Sequence, residues 1–90
     1  MQYQDTFLIE NRLGLHARAA SVLAQLAISF DAKVTLQQGD KEAEADSVLA
    51  LMLLEGAKGK KVKVTCIGPD AKLALKTIGE LIADKFHEQE

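Results

Sequence analysis

The chain has no tryptophan, one cysteine and one proline, and aromatic residues make up 4% of its 90 positions. A lone Cys66 cannot close an internal disulfide, which excludes the cross-linked secreted scaffolds and makes a reducing cytoplasm the expected compartment. Scarce aromatics and a formal charge of −2 argue against a nucleic-acid surface, where basic stripes and stacking rings are expected. Lys58, Lys60, Lys61 and Lys63, with no aromatics between them, read as a solvated loop and strand face. The longest apolar run, residues 48–54, is far too short to span a bilayer, so no membrane insertion is expected. Met1-Gln2-Tyr3-Gln4-Asp5 shows no basic stretch followed by an apolar one, so no signal peptide is expected either. His16, His87 and Cys66 have no metal-ligand spacing.

What is there is 48% apolar, ordinary for a soluble globular protein and enough for one modest core. A chain of this size buries roughly 60–65% of its unfolded surface, and one domain over residues 1–90 is expected. Tyr3, Phe7 and Ile9 share one side of an alternating segment, which predicts a strand over 2–9 with Leu8 breaking the pattern. After a loop over 10–15 the spacing turns helical at Ala20, Leu23, Ala27 and Phe30. Alternation returns over 33–37, a Gly39-Asp40 turn follows, and residues 41–45 complete a hairpin with Ala43 and Ala45 facing in. Asp46 or Ser47 can cap a short helix over 47–54. Val62, Val64 and Cys66 alternate in a fourth strand, which places Cys66 in the core. Gly68-Pro69-Asp70 opens a last helix, with an acid in its first turn and Ala71, Leu75, Ile78, Leu81, Ile82 and Phe86 on its apolar side. Gly79 inside that helix costs about 1 kcal/mol relative to alanine, which points to close packing there. Four strands with helices on one face make a two-layer α+β sandwich of order βαββαβα.

Two stretches can carry chemistry. In Gly14-Leu15-His16-Ala17-Arg18-Ala19-Ala20-Ser21, a glycine ends an extended segment, a histidine follows, and a run of good helix formers begins at once. His16 then sits at the cap or first position of a helix, with Arg18 in the first turn. A helix start presents unpaired N–H groups and partial positive charge, a ready seat for an anion. Histidine is a covalent nucleophile when its ring is neutral, and the helix end and Arg18 both disfavour the charged ring. The Ala17 and Arg18 amides and the Arg18 guanidinium would then stabilise phosphoryl oxygens. The plainer alternative is a histidine that only caps the helix. The second stretch, 48–54, is apolar at every position, where a helix packed on one face needs three or four in seven. It is either an exposed docking patch around Met52 or a wholly buried element.

Gly14-Leu15-His16-Ala17-Arg18, taken with this element order, resembles the HPr family of bacterial phosphotransferase-system phosphocarriers. The resemblance covers essentially the whole chain and includes Ser47, the Ala57-Lys58-Gly59 turn and Gly68-Pro69. Residues 42–51 with Ala57-Lys58-Gly59 look most like the nitrogen-related branch, NPr. The resemblance implies an antiparallel sheet of order 1-4-2-3 and a phosphocarrier rather than a stand-alone enzyme. His16 matches the phosphorylated histidine (on Nδ1), Arg18 the arginine beside it, and Ala17, Ser21, Val48, Leu49 and Met52 the docking face. It further implies an enzyme I-type donor charged by phosphoenolpyruvate, a IIA-type acceptor, a monomer, and no cofactor or metal. Ser47 matches a serine that a kinase phosphorylates in some branches, although the helix-cap reading is preferred, since Asp46 beside it would repel a phosphate. One departure stands out: Ala19 replaces the family's usual proline, which loosens the helix start without removing it. Other readings in the same frame are a carbohydrate-uptake HPr or a regulatory binding module that controls partners; a plain structural α+β domain would instead bury His16.

Overall fold

In the computed structural model, which describes residues 1–89, the period-two stretches become the four strands of one sheet. β1 (Gln2–Leu8), β2 (Lys33–Gln38), β3 (Lys41–Glu44) and β4 (Lys61–Ile67) lie in the order β1-β4-β2-β3, antiparallel throughout. Tyr3 stands opposite Cys66, Phe7 opposite Val62, and Leu36 between Ala43 and Val64. Side chains alternate across a strand, so these residues share one face. Helices α1 (Ala17–Ile28), α2 (Val48–Leu53) and α3 (Ala71–Ala83) cover that face, giving the expected two-layer sandwich and strand order.

The core lies between the layers. Leu36, Val62, Val64 and Cys66 from the sheet meet Leu23, Leu51, Ile78 and Ile82 from the helices, all at most 1% exposed. Each such aliphatic side chain contributes about 1.5–3 kcal/mol through removal from water. α3 runs along β1 so closely that a Cβ on Gly79 would sit 2.6 Å from the Phe7 ring, which accounts for a glycine inside a helix. Ile9 and Ala45 fall one residue past β1 and β3 yet remain fully buried, so the alternation reads true while the ladders end earlier than expected. Ser47 is the cap of α2, its Oγ accepting the Ala50 N–H at 3.2 Å.

Two expectations at the start and end of the last helix need correction. Asp70 precedes α3 instead of lying in its first turn, and its carboxylate accepts the Asp31 N–H at 2.8 Å, tying the turn before β2 to the helix start. The helical spacing also predicts Phe86 within the last helix, whereas α3 stops at Ala83. Lys85, Phe86 and His87 follow with φ of 56°, 55° and 66°, a left-handed turn built without glycine. Such backbone costs about 1–2 kcal/mol per residue. Phe86 is nonetheless fully buried, and the turn brings the chain back against α1.

Candidate functional site

The loop before α1 is built to hold His16 still. Gly14 adopts φ +61°, its N–H bonds to the Asn11 carbonyl at 3.2 Å, and the Leu15 N–H bonds to the Gly56 carbonyl at 2.9 Å. A side chain at Gly14 would collide with the Gly56 carbonyl and the Ala57 Cα, so the left-handed conformation and the close approach both demand glycine. Leu15 is buried beneath this contact. The loop that carries His16 is thereby pinned to the loop that follows α2.

His16 is the N-cap residue of α1 with extended backbone, φ −74° and ψ 178°, and its ring caps nothing. The first bond of the helix runs from the Ala20 N–H to the His16 carbonyl at 2.8 Å. The amides of Ala17, Arg18 and Ala19 come before it, as the donors that a helix start leaves without intrahelical partners. The ring is 28% exposed, between two open depressions. One, of about 570 Å³, is shared with Arg12, Arg18, His87 and Glu88. The other, of about 280 Å³, is shared with Leu13, Met52, Gly56 and Ala57.

Three groups converge on Glu88, a residue that the sequence reading does not single out. His16 Nε2 lies 2.5 Å from Oε2, Arg18 Nη1 donates to the same oxygen at 3.2 Å, and Asn11 Nδ2 donates to Oε1 at 2.9 Å. Asn11 is fully buried and its amide also donates to the Gly14 carbonyl at 2.8 Å, locking the turn that precedes the histidine. Burial alone would raise the Glu88 carboxyl, but the hydrogen bonds from Asn11 and His16, with the charge of Arg18 and, when its ring is protonated, that of His16, hold it below the ordinary carboxylate value. The contact between residues 16 and 88 spans 72 positions, so no local spacing announces it. Asn11 had a weak signal as a turn-forming amide three residues before a glycine.

α2 leaves part of its unbroken apolar run exposed. Leu51 and Leu54 are buried, Leu49 and Met52 are 66% and 42% exposed, and Leu53 is exposed beside them. Val48 is half-buried, as is Ser21 on α1, while Ala17 is exposed. α1 and α2 touch, and Met52 opens onto the same depression as the His16 ring. Leu13, 64% exposed, extends this apolar ground on the loop side and is a further residue the sequence reading does not single out. Ser47 has its hydroxyl engaged in the cap. Cys66 is fully buried, and that burial raises its thiol above the ordinary value. Among the described residues no cluster of histidine, cysteine and carboxylate side chains could hold a metal ion, and no helix is long and apolar enough to cross a membrane.

Comparison with known proteins agrees with this fold. A family model described as the PTS HPr component phosphorylation site matches residues 3–84. Phosphocarrier protein NPr of Shewanella violacea is 51% identical over 78 residues, covering 87% of this chain and 86% of that one. Phosphocarrier protein NPr of Escherichia coli is 42% identical over 89 residues, 98% of this chain and 99% of that one. The crystal structure of an HPr from Thermoanaerobacter tengcongensis superposes with a TM-score of 0.93 at 33% identity, covering 98% of this chain and 99% of the other. With strand order and helix placement in agreement as well, the chain belongs to the HPr family of the phosphotransferase system.

Proposed function

We propose that this protein is a phosphoryl carrier in which His16 Nδ1 accepts a phosphoryl group from a phosphohistidine donor and passes it to a second protein. The single observation that supports this most is the His16 ring itself. It stands at the mouth of α1, caps nothing, remains open to solvent, and has Arg18 in the turn above it. A nucleophile must reach its partner, and a developing phosphoryl anion is stabilised by a guanidinium and by helix-start amides. The Ala17 and Arg18 amides supply the latter. No resident cofactor enters this chemistry.

The donor is an enzyme I-type protein charged by phosphoenolpyruvate and the acceptor a IIA-type protein, met in the cytoplasm by a monomeric carrier. Both dock on Ala17, Ser21, Val48, Leu49 and Met52, where exposed apolar side chains adjoin the histidine. A patch this small suits brief encounters, as a relay between two partners requires. Similarity to NPr proteins favours the nitrogen-related branch over carbohydrate uptake. Ser47 acts as a helix cap, its hydroxyl already bonded to Ala50. Incubation with enzyme I-type donor and phosphoenolpyruvate is expected to leave an acid-labile, base-stable phosphate, absent from the His16→Ala variant. Labelling that survives in His16→Ala would refute the assignment. A regulatory module that needs no transfer would keep its biological output in that variant.

A further inference from the structure

The left-handed turn at 85–87 is the one place where the described chain accepts sustained backbone strain away from glycine. Strain of this kind persists where the surroundings over-determine it, and it gathers at functional sites. Here the fully buried Phe86 anchors the turn from within, and its outcome is the placement of one carboxylate. Glu88, 15% exposed, meets His16 Nε2, Arg18 and Asn11 at once.

The arrangement has a direction. A carboxylate held ionised has no hydrogen to give, so the hydrogen in the 2.5 Å contact with His16 belongs to Nε2. A neutral ring carrying its hydrogen on Nε2 keeps the lone pair on Nδ1. Histidines that bind metals are fixed in the same way, with the second nitrogen donating to a carboxylate that sets tautomer and ring orientation. Resting on the carrier reading above, we propose that Glu88, held in place by Asn11 and the Phe86 turn, is a positioning residue that keeps the proton on His16 Nε2 and presents Nδ1 as the phosphoryl acceptor. In the transfer the donor's P–N bond breaks as the bond from phosphorus to Nδ1 forms. The donor ring departs neutral, the His16 ring becomes cationic with its Nε2 hydrogen in place, and Glu88 faces that new charge. No net proton moves.

The test separates this role from docking by using phosphoramidate, a small phosphoryl donor that loses ammonia and needs no protein partner. Nitrogen-15 shifts of the His16 ring are read first, without any donor, in the wild type, Glu88→Ala and Glu88→Asp, with thermal unfolding as the check on folding. The wild type is expected to show a protonated, pyrrole-type Nε2 and a pyridine-type Nδ1. Glu88→Ala is expected to relax toward the mixed tautomers of free imidazole and to take phosphate from phosphoramidate about 10-fold or more slowly. Glu88→Asp should recover part of both. Unchanged ring shifts in Glu88→Ala, or changed shifts with an unchanged rate, would overturn the proposal. A wild type that takes no phosphoryl group from any donor would instead remove the carrier reading, and the donor-free shifts tell the two failures apart.

Discussion

At the scale of single residues, the site divides into a group that reacts and groups that hold charge. Arg18 is 57% exposed and donates to the Glu88 carboxylate at the surface, so little of the fold depends on it. Arg18→Ala is therefore expected to slow phosphoryl transfer by about 100-fold, as loss of one charge-stabilising donor does, while changing the unfolding free energy by less than ~1 kcal/mol. Stopped-flow transfer rates and urea unfolding of the same sample check both halves. Glu88 gives a pH dependence of definite sign. Its carboxyl is held below the ordinary 4.5, so the folded protein binds fewer protons there than the unfolded chain. Its contribution is complete above pH 4.5 and is lost as the pH falls through the depressed folded value. Urea midpoints of the wild type and Glu88→Ala should differ at pH 7 and draw together as the pH falls below 4.5. A difference that does not shrink on acidification would mean that Glu88 acts through packing and not through its charge. His16 and Arg18 were legible in the sequence because a helix start and its first turn are written in adjacent residues. Asn11 and Glu88 were not, since their partnership joins positions 77 apart.

At the scale of elements, the all-apolar α2 and the glycine before α1 are two halves of one device. An unbroken run over six residues cannot be wholly buried by a helix that rests on one face, and Leu49, Met52 and Leu53 accordingly remain in solvent. Gly14 then joins the loop before α1 to the loop after α2, which sets this apolar face beside the histidine. Gly14→Ala faces both a left-handed backbone and a collision with Gly56, and is expected to cost about 2–4 kcal/mol by urea unfolding. A loss below ~1 kcal/mol would show that the two loops are free to part. Periodicity exposed the four strands, α1 and α3, because burial on one face leaves its mark at period two or 3.6, while the all-apolar α2 was readable from its cap. It could not show where α3 ends. An inward Phe86 fits a continued helix or a left-handed turn equally well, and only tertiary packing chooses between them.

For the molecule as a whole, the exit of the first strand and the turn after the last helix meet near one site. β1 leads into the loop of His16, and the turn after α3 returns Glu88 to it, with Phe86 sealed in the core between. Phe86→Ala is expected to cost about 3–5 kcal/mol and, where folding survives, to reproduce the Glu88→Ala ring shifts, because the carboxylate loses its anchor. Calorimetry and nitrogen-15 spectra of that variant check the two consequences. The central claim is that one imidazole nitrogen takes up a phosphoryl group. Phosphorus-31 spectra of nitrogen-15-histidine-labelled protein, charged by enzyme I-type donor and phosphoenolpyruvate, test it most directly. The account predicts a single phosphoramidate resonance, coupled to Nδ1 of His16. A resonance coupled to Nε2, one arising from His87, or no resonance at all would contradict it.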